Sequence, residues 1–245
     1  MTIENNEILN FIESNISSFH NARLKSLQSL KIEKLLKRKN PYLFRCKNIL
    51  LADELVKLIL EAYLSSQEET IFGNFLEKLA IFINEKVYDG RKSSAEGIDL
   101  EFTKQNIKYI ISIKSGPNWG NSSQIKKMKD NFEKAKRILR TSGSKTDNIV
   151  AINGCCYGID NSPDKGSYFK YCGQAFWELI SGDAECYKII IEPLGHKAKE
   201  RNEEFNNEYA RMINGLVNGF ISKFCDDGKI NWKLLVEYNS KNKIH

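Results

Sequence analysis

The chain has 245 residues, 41% hydrophobic and 28% charged, with 37 Lys and Arg against 31 Asp and Glu and a formal net charge of +6. That apolar share can fill a core, so wholesale disorder is excluded, and the longest apolar runs, such as residues 109–113 and 187–191, are too short to span a bilayer. The first residues lack a basic stretch leading into an apolar one, so no secretory signal is expected and a soluble cytoplasmic protein follows. Six cysteines (Cys46, Cys155, Cys156, Cys172, Cys186, Cys225) show no C-x-x-C spacing, and there are only three histidines. Free thiols in a reducing compartment are expected, and a zinc site is not.

Residues 6–20 place Ile8, Leu9, Phe11, Ile12, Ile16 and Phe19 mostly on one helical stripe, which Asn5 or Asn6 can cap. Residues 22–38 read as a second amphipathic helix, ended at Asn40-Pro41 because the residue before proline avoids the α region. A third helix covers 53–65 and a fourth 70–87. The pattern then changes. Residues 98–102 alternate, and 108–114 form a β-branched run after a polar turn at 104–106, so the two make a hairpin. A loop over 115–121 leads to a basic helix over 122–140. Residues 149–154 form a strand without polar alternation, which suits a central buried position. A loop rich in Gly, Asp and Pro follows (154–167), then a helix over 173–181. Residues 187–191 read as a short strand or a buried helical turn and 195–224 as a long helix, with Trp232, Leu234, Leu235 and Val236 closing the chain. This order predicts an α/β fold whose mixed central sheet is flanked by helices, behind an N-terminal helical region.

Charge is segregated. Residues 23–47 hold nine Lys and Arg against Glu33 alone, residues 50–85 hold seven acids against Lys57 and Lys78, and residues 104–145 hold eleven Lys and Arg against Asp130 and Glu133. Two positive blocks in a nearly balanced chain suggest a polyanionic partner; the blander alternative is a pair of solvated lysine-rich helix faces.

Chemistry concentrates on the hairpin. There is no nucleophile elbow, P-loop or dinucleotide fingerprint. Asp99 lies on the first strand and Lys114 ends the second, 15 residues on. Lysine is rarely buried unpaired, and the turn at 104–106 brings both strand ends to one edge of the sheet. A purely structural Asp–Lys pair is the competing reading. Three features favour function. Glu77 offers a second carboxylate from the preceding helix. The loop after Lys114, containing Asn118 and Trp119, is built of Gly, Pro, Asn and Trp and lets a ligand approach the backbone. The next helix opens with Asn121-Ser122-Ser123-Gln124, a polar N-terminus suited to phosphate oxygens.

The pattern Asp99 … Ser112-Ile113-Lys114 resembles the PD-(D/E)XK nuclease superfamily, and more closely its type II restriction endonucleases. Phe72-Gly73, the Gly/Trp loop after Lys114, Gly154-Cys155-Cys156-Tyr157-Gly158, Phe176-Trp177-Glu178 and Asp226-Asp227-Gly228 … Trp232 resemble a subset of those enzymes that cut GGNCC-cored sites. The triplet here begins with Ser112 where the family carries an acid. The resemblance therefore implies a second carboxylate from elsewhere: Glu77 first, Glu101 as runner-up on the same strand face as Asp99, then Glu96, Asp130 and Glu133.

The resemblance implies Mg²⁺ as cofactor, held by Asp99, Glu77 and the Ile113 carbonyl, with Lys114 orienting the attacking water and stabilising the charge on phosphorus. Gln124 and Asn121 would touch the water or the adjacent phosphate, or else simply cap their helix. Trp119 would meet a sugar or base, or pack the loop. Lys126 and Lys127 would bind phosphate beside Asn118 and Ser122. Residues 160–171, with Lys165, Tyr168 and Lys170, are where base contacts are expected.

Palindromic DNA calls for a homodimer. Residues 1–65 are read as the helical region for dimerisation and for gripping DNA through Arg38 and Lys39, and residues 66–245 as the catalytic core. Double-stranded DNA is the implied substrate, and a DNA methyltransferase the implied companion in a restriction-modification system. Two rival readings remain at this point: a structure-directed repair or recombination nuclease of the same fold, and a DNA-binding module whose nuclease site has decayed.

Overall fold

A computed structural model describes residues 3–37, 39–141 and 148–242. Helix α1 (Asn5–Gln28) is continuous where two helices were expected, because His20-Asn21-Ala22 contains neither Gly nor Pro. Lys31 returns to an extended conformation before the short α2 (Ile32–Leu36). Asn40-Pro41 starts a helix as well as ending one. The Asn40 side chain accepts from the Tyr42 and Leu43 N–H groups, and Pro41 fills the first position of α3 (Pro41–Cys46), where its missing N–H costs nothing. Helix α4 (Ala52–Tyr88) runs 37 residues, straight through the break expected at 66–69; that stretch is polar but holds no helix breaker.

Strands β1 (Leu100–Lys104) and β2 (Ile107–Lys114) form the antiparallel hairpin, in register from Leu100↔Ile111 to Lys104↔Ile107. Its two-residue turn has φ of 50° at Gln105 and 60° at Asn106, the left-handed pair of a type I′ turn. Helix α5 (Ser122–Thr141) precedes β3 (Ile149–Cys155), which lies parallel to β2. A fourth strand, β4 (Phe169–Cys172), lies parallel to β3 where the sequence reading has only loop. It has four residues and sits at an edge, too short for its alternation to register. The sheet order β1-β2-β3-β4 is the mixed sheet expected.

Helix α6 (Gln174–Ser181) stops at Gly182, whose φ of 72° suits a left-handed cap. Residues 187–191 take the helical alternative, in α7 (Cys186–Ile189) and α8 (Ile191–Leu194). The long α9 (Ala198–Phe224), a small hairpin of β5 (Cys225–Asp226) and β6 (Lys229–Ile230), and α10 (Trp232–Ser240) follow. All six cysteines are free.

The chain forms two compact units, Met1–Ser17 with Phe72–His196 and Ser18–Ile71 with Lys197–His245. The second is mostly helical and joins two segments distant in sequence; its core includes Leu27, Leu35, Leu55, Leu60 and Phe220. The first carries the four-stranded sheet. On one face Ile110 and Ala151 pack with Met128, Phe132 and Ala135 of the amphipathic α5 and with Tyr168. The other face is closed around Gly154, where an added Cβ would lie 2.4 Å from Phe176 and 3.2 Å from Ile111. Phe176 and Trp177 are fully buried, and the Trp177 indole donates to the Cys156 carbonyl at 2.8 Å.

Glycine is required at 154 by this close approach, so Gly154→Ala should overpack the sheet. We expect a loss of about 1–3 kcal/mol in urea-induced unfolding with the m-value retained. An unchanged midpoint would contradict the packing described.

Candidate active site

The register of the hairpin builds the site. Asp99 immediately precedes β1 and donates its N–H to the Ile111 carbonyl at 2.8 Å, which extends the ladder by one residue and sets its side chain beside the end of β2. One carboxylate oxygen, Oδ2, accepts the Ile113 N–H at 2.7 Å and the Ser112 hydroxyl at 3.5 Å, and it lies 3.9 Å from Lys114 Nζ. Lys114 also donates to the Ile113 carbonyl at 2.9 Å, and its ammonium sits 5.2 Å from the centre of the Trp119 ring. The side chains of Asp99 and Lys114 keep 22% and 28% exposure, so both remain within reach of a ligand. Burial pushes the Asp99 carboxyl above its ordinary range. The Lys114 charge and the Ile113 N–H oppose that shift, while the Glu77 carboxylate adds to it.

Glu77, on α4, is therefore near enough for its charge to be felt at Asp99. It is felt at Cys156 too, whose thiol is raised to about 12 by burial first and by Glu77 second. Burial likewise raises the Cys155 thiol. Neither cysteine is a thiolate at neutral pH, so neither offers a nucleophile. Glu77 pairs with Lys92 at 3.3 Å, an exposed partner that a ligand can displace. Glu101 is differently placed. It is buried, accepts from Arg91 at 2.7 Å and from Ser93 at 3.3 Å, and lies 3.6 Å from Lys108. Its charge is already matched, which makes it a structural acid.

Asp99 and Glu77 with the Ile113 carbonyl make a donor set of hard oxygens. Among the described residues no group of three or more His, Cys, Asp or Glu converges as a metal cage. Two carboxylates suit Mg²⁺ nonetheless, since that ion keeps several waters and takes its remaining oxygens from substrate phosphate.

The neighbouring residues divide into groups. Asn121 and Gln124 form a reciprocal cap at the start of α5: the Asn121 N–H donates to Gln124 Oε1 and the Gln124 N–H to Asn121 Oδ1, each at 3.0 Å. Asn118, Ser122 and Lys126 are exposed, and Lys127 is exposed opposite Glu96 at 3.5 Å. Trp119 packs the loop against the α5 side of the sheet and donates its indole N–H to Asn153 Oδ1 at 3.0 Å. Tyr168 is buried near Phe132, so its ring is core and not a surface for bases. Lys165 and Lys170 are both engaged by Asp160, at 3.0 and 3.6 Å. Lys39 is half-buried in the helical unit, and Arg38 lies outside the described residues.

Sequence reasoning passed over Asn153. Buried in β3, its amide donates to the Ser112 carbonyl and accepts from Trp119, tying the triplet strand to the following loop. A polar residue inside the apolar run 149–154 was the available signal. Asp160 was also passed over, hidden among the turn residues around it.

A family model for the type II restriction endonuclease EcoO109I matches residues 6–202, four-fifths of the chain. The chain belongs to this family. It is accordingly a site-specific deoxyribonuclease, a hydrolase that acts on double-stranded DNA, in a family that generally uses divalent metal ions. No curated protein matches the chain. No helix among its described residues is long and apolar enough to cross a membrane.

In this endonuclease Asn153→Ala removes one amide that serves two partners, the buried Ser112 carbonyl and the half-buried Trp119 indole. We expect a stability loss of about 1–3 kcal/mol and a red-shifted Trp119 emission, read as the difference from a Trp119→Phe control. Emission unchanged from the parent would contradict the tether.

Proposed function

We propose that this chain is a Mg²⁺-dependent, homodimeric type II restriction endonuclease, working in a restriction-modification system beside a cognate DNA methyltransferase in the cytoplasm. The observation that carries the reading is the convergence of Asp99 and Lys114 at the sheet edge, with the charge of Glu77 close by. Asp99, Glu77 and the Ile113 carbonyl would hold the ion. A divalent ion bound there supplies a water of lowered pKa and neutralises charge on the phosphate.

The protein's own groups do the rest. Lys114 has three N–H donors and spends one on the Ile113 carbonyl, which leaves donors for the attacking water and a phosphate oxygen. Ser112 and the Ile113 N–H fix the Asp99 carboxylate, which sets the direction of its other oxygen. The cap between Asn121 and Gln124 uses their carbonyl oxygens, so their NH₂ groups are what these side chains can offer a phosphate. Asn118, Ser122, Lys126 and Lys127 extend a polar and basic track along the start of α5.

Self-association draws support from the helical unit. Tyr42, Leu43, Leu50 and Leu51 are all exposed within ten residues of chain, apolar surface of the kind that subunit contacts cover. In this reading residues 1–65 supply much of the dimer contact, and Arg38 and Lys39 grip the DNA backbone. The resemblance favours a recognition site with a GGNCC core.

Digestion of unmethylated phage DNA with Mg²⁺, followed by end mapping, tests the reading. Discrete fragments with common ends are expected; random nicking, or a preference for branched DNA, would overturn it. Lys114→Ala should lower the single-turnover cleavage rate by about a hundredfold or more while DNA binding persists. Wild-type cutting by that variant would remove Lys114 from the mechanism. The two candidate acids separate cleanly. Glu77→Ala should abolish cleavage in a stable protein, whereas Glu101→Ala should lower the melting temperature by leaving the largely buried Lys108 without its carboxylate. The reverse pattern would move the ion to Glu101.

A further inference from the structure

We propose that Tyr157 and Ile159 form an apolar wedge that contacts the deoxyribose and base edge beside the cleaved phosphate. The inference rests on the nuclease reading above and adds a contact that neither the hairpin nor the basic helix supplies.

Placement is the first observation. Beyond the ends of β2 and β3 the parallel pairing continues: the Cys156 N–H donates to the Lys114 carbonyl at 2.9 Å and the Tyr157 N–H to the Ser115 carbonyl at 3.2 Å. Tyr157 is thereby fixed next to the residue that follows Lys114. Its ring lies on Gly116, where an added Cβ would come within 2.3 Å of Tyr157 Cζ.

Exposure is the second. Tyr157 is 55% exposed and Ile159 82%, although the surrounding loop is otherwise polar. Both side chains are left uncovered by the chain itself, Tyr157 directly beside the segment that follows Lys114.

Rigidity is the third. Gly158 has a φ of 96°, and an added Cβ there would strike Pro117 at 2.6 Å. Asp160 accepts the Ser162 N–H and pairs with Lys165 and Lys170, and Lys170 donates onward to the Pro117 carbonyl at 3.0 Å. The loop is thus strapped to the segment that follows Lys114. The same strap engages both Lys165 and Lys170 through the single carboxylate of Asp160. Tyr157 and Ile159 are the apolar surface that this otherwise polar loop presents, and in DNA that matches sugar faces, base edges and the thymine methyl.

The test uses a duplex oligonucleotide carrying one mapped cleavage site, with Ca²⁺ replacing Mg²⁺ so that it stays uncut, and measures affinity across a salt series. Tyr157→Ala and Ile159→Ala should each weaken binding about tenfold, the loss of a few buried apolar groups, with the slope of log K against log salt unchanged because no phosphate contact is lost. Tyr157→Phe should bind as the parent does. Lys126→Ala, as a comparison, should flatten the slope by about one. If Tyr157→Ala fails to fold, Ile159→Ser carries the same readout. Unchanged affinity, or a flattened slope, would overturn the wedge. A change in oligomeric state with DNA affinity intact would also overturn it, assigning the pair to a second copy of the chain. A wild-type protein that binds and cuts no duplex would instead sink the nuclease reading itself.

Discussion

A lysine that ends a buried strand must reach water or meet opposite charge, because an isolated ammonium in an apolar setting costs several kcal/mol, on the order of what holds a whole domain together. Here the hairpin resolves the conflict. Register puts Asp99 across from the end of β2, and the carboxylate that answers Lys114 is itself pinned by the Ile113 N–H. The pair is loose, at 3.9 Å, and both members keep some exposure. A tight buried pair would be satisfied and inert. This one is held in place with capacity to spare, and it is borne on strands, which position groups more firmly than loops do.

The parallel part of the sheet determines what surrounds that pair. Strands β2, β3 and β4 all point their carboxyl ends toward the same edge, the place where open α/β sheets bind ligands. Lys114, Cys155 and Cys172 mark those ends, and the neighbouring segments are stitched together by Tyr157 on Gly116, Gly158 on Pro117 and Lys170 on the Pro117 carbonyl. A parallel β2–β3 pair also requires a crossover, and that crossover contains the basic helix α5. Its polar N-terminus arrives beside Lys114 as a consequence of topology. Positive charge along α5 and a half-buried acid on the hairpin are two products of one chain path.

Much of this was legible in the residues. The β-branched run ending in Lys114 marked a strand, the polar turn before it marked the hairpin, and the two together implied that Asp99 and Lys114 would meet. The helix boundaries in the first third were not legible. Polar residues at 66–69 look like a linker, but without Gly or Pro the α4 hydrogen bonds continue through them. Strand β4 was hidden because an edge strand of four residues leaves almost no periodic trace. Within the site, types were easier to read than allegiances. Glu101 and Tyr168 look available in sequence, and only tertiary contact shows one matched by Arg91 and Lys108 and the other sunk against Phe132. Lys165 and Lys170 look like free cations until Asp160 is placed between them.

We propose that Asp99, at the hairpin edge, and Glu77, on α4, hold the divalent ion within reach of Lys114. Anomalous scattering from Mn²⁺ soaked into crystals of the DNA complex tests it most directly. The account predicts an anomalous peak bridging Asp99 and Glu77, with the scissile phosphate beside Lys114 Nζ. A peak against Glu101, or Mn²⁺ bound with Asp99 outside its coordination sphere, would contradict it.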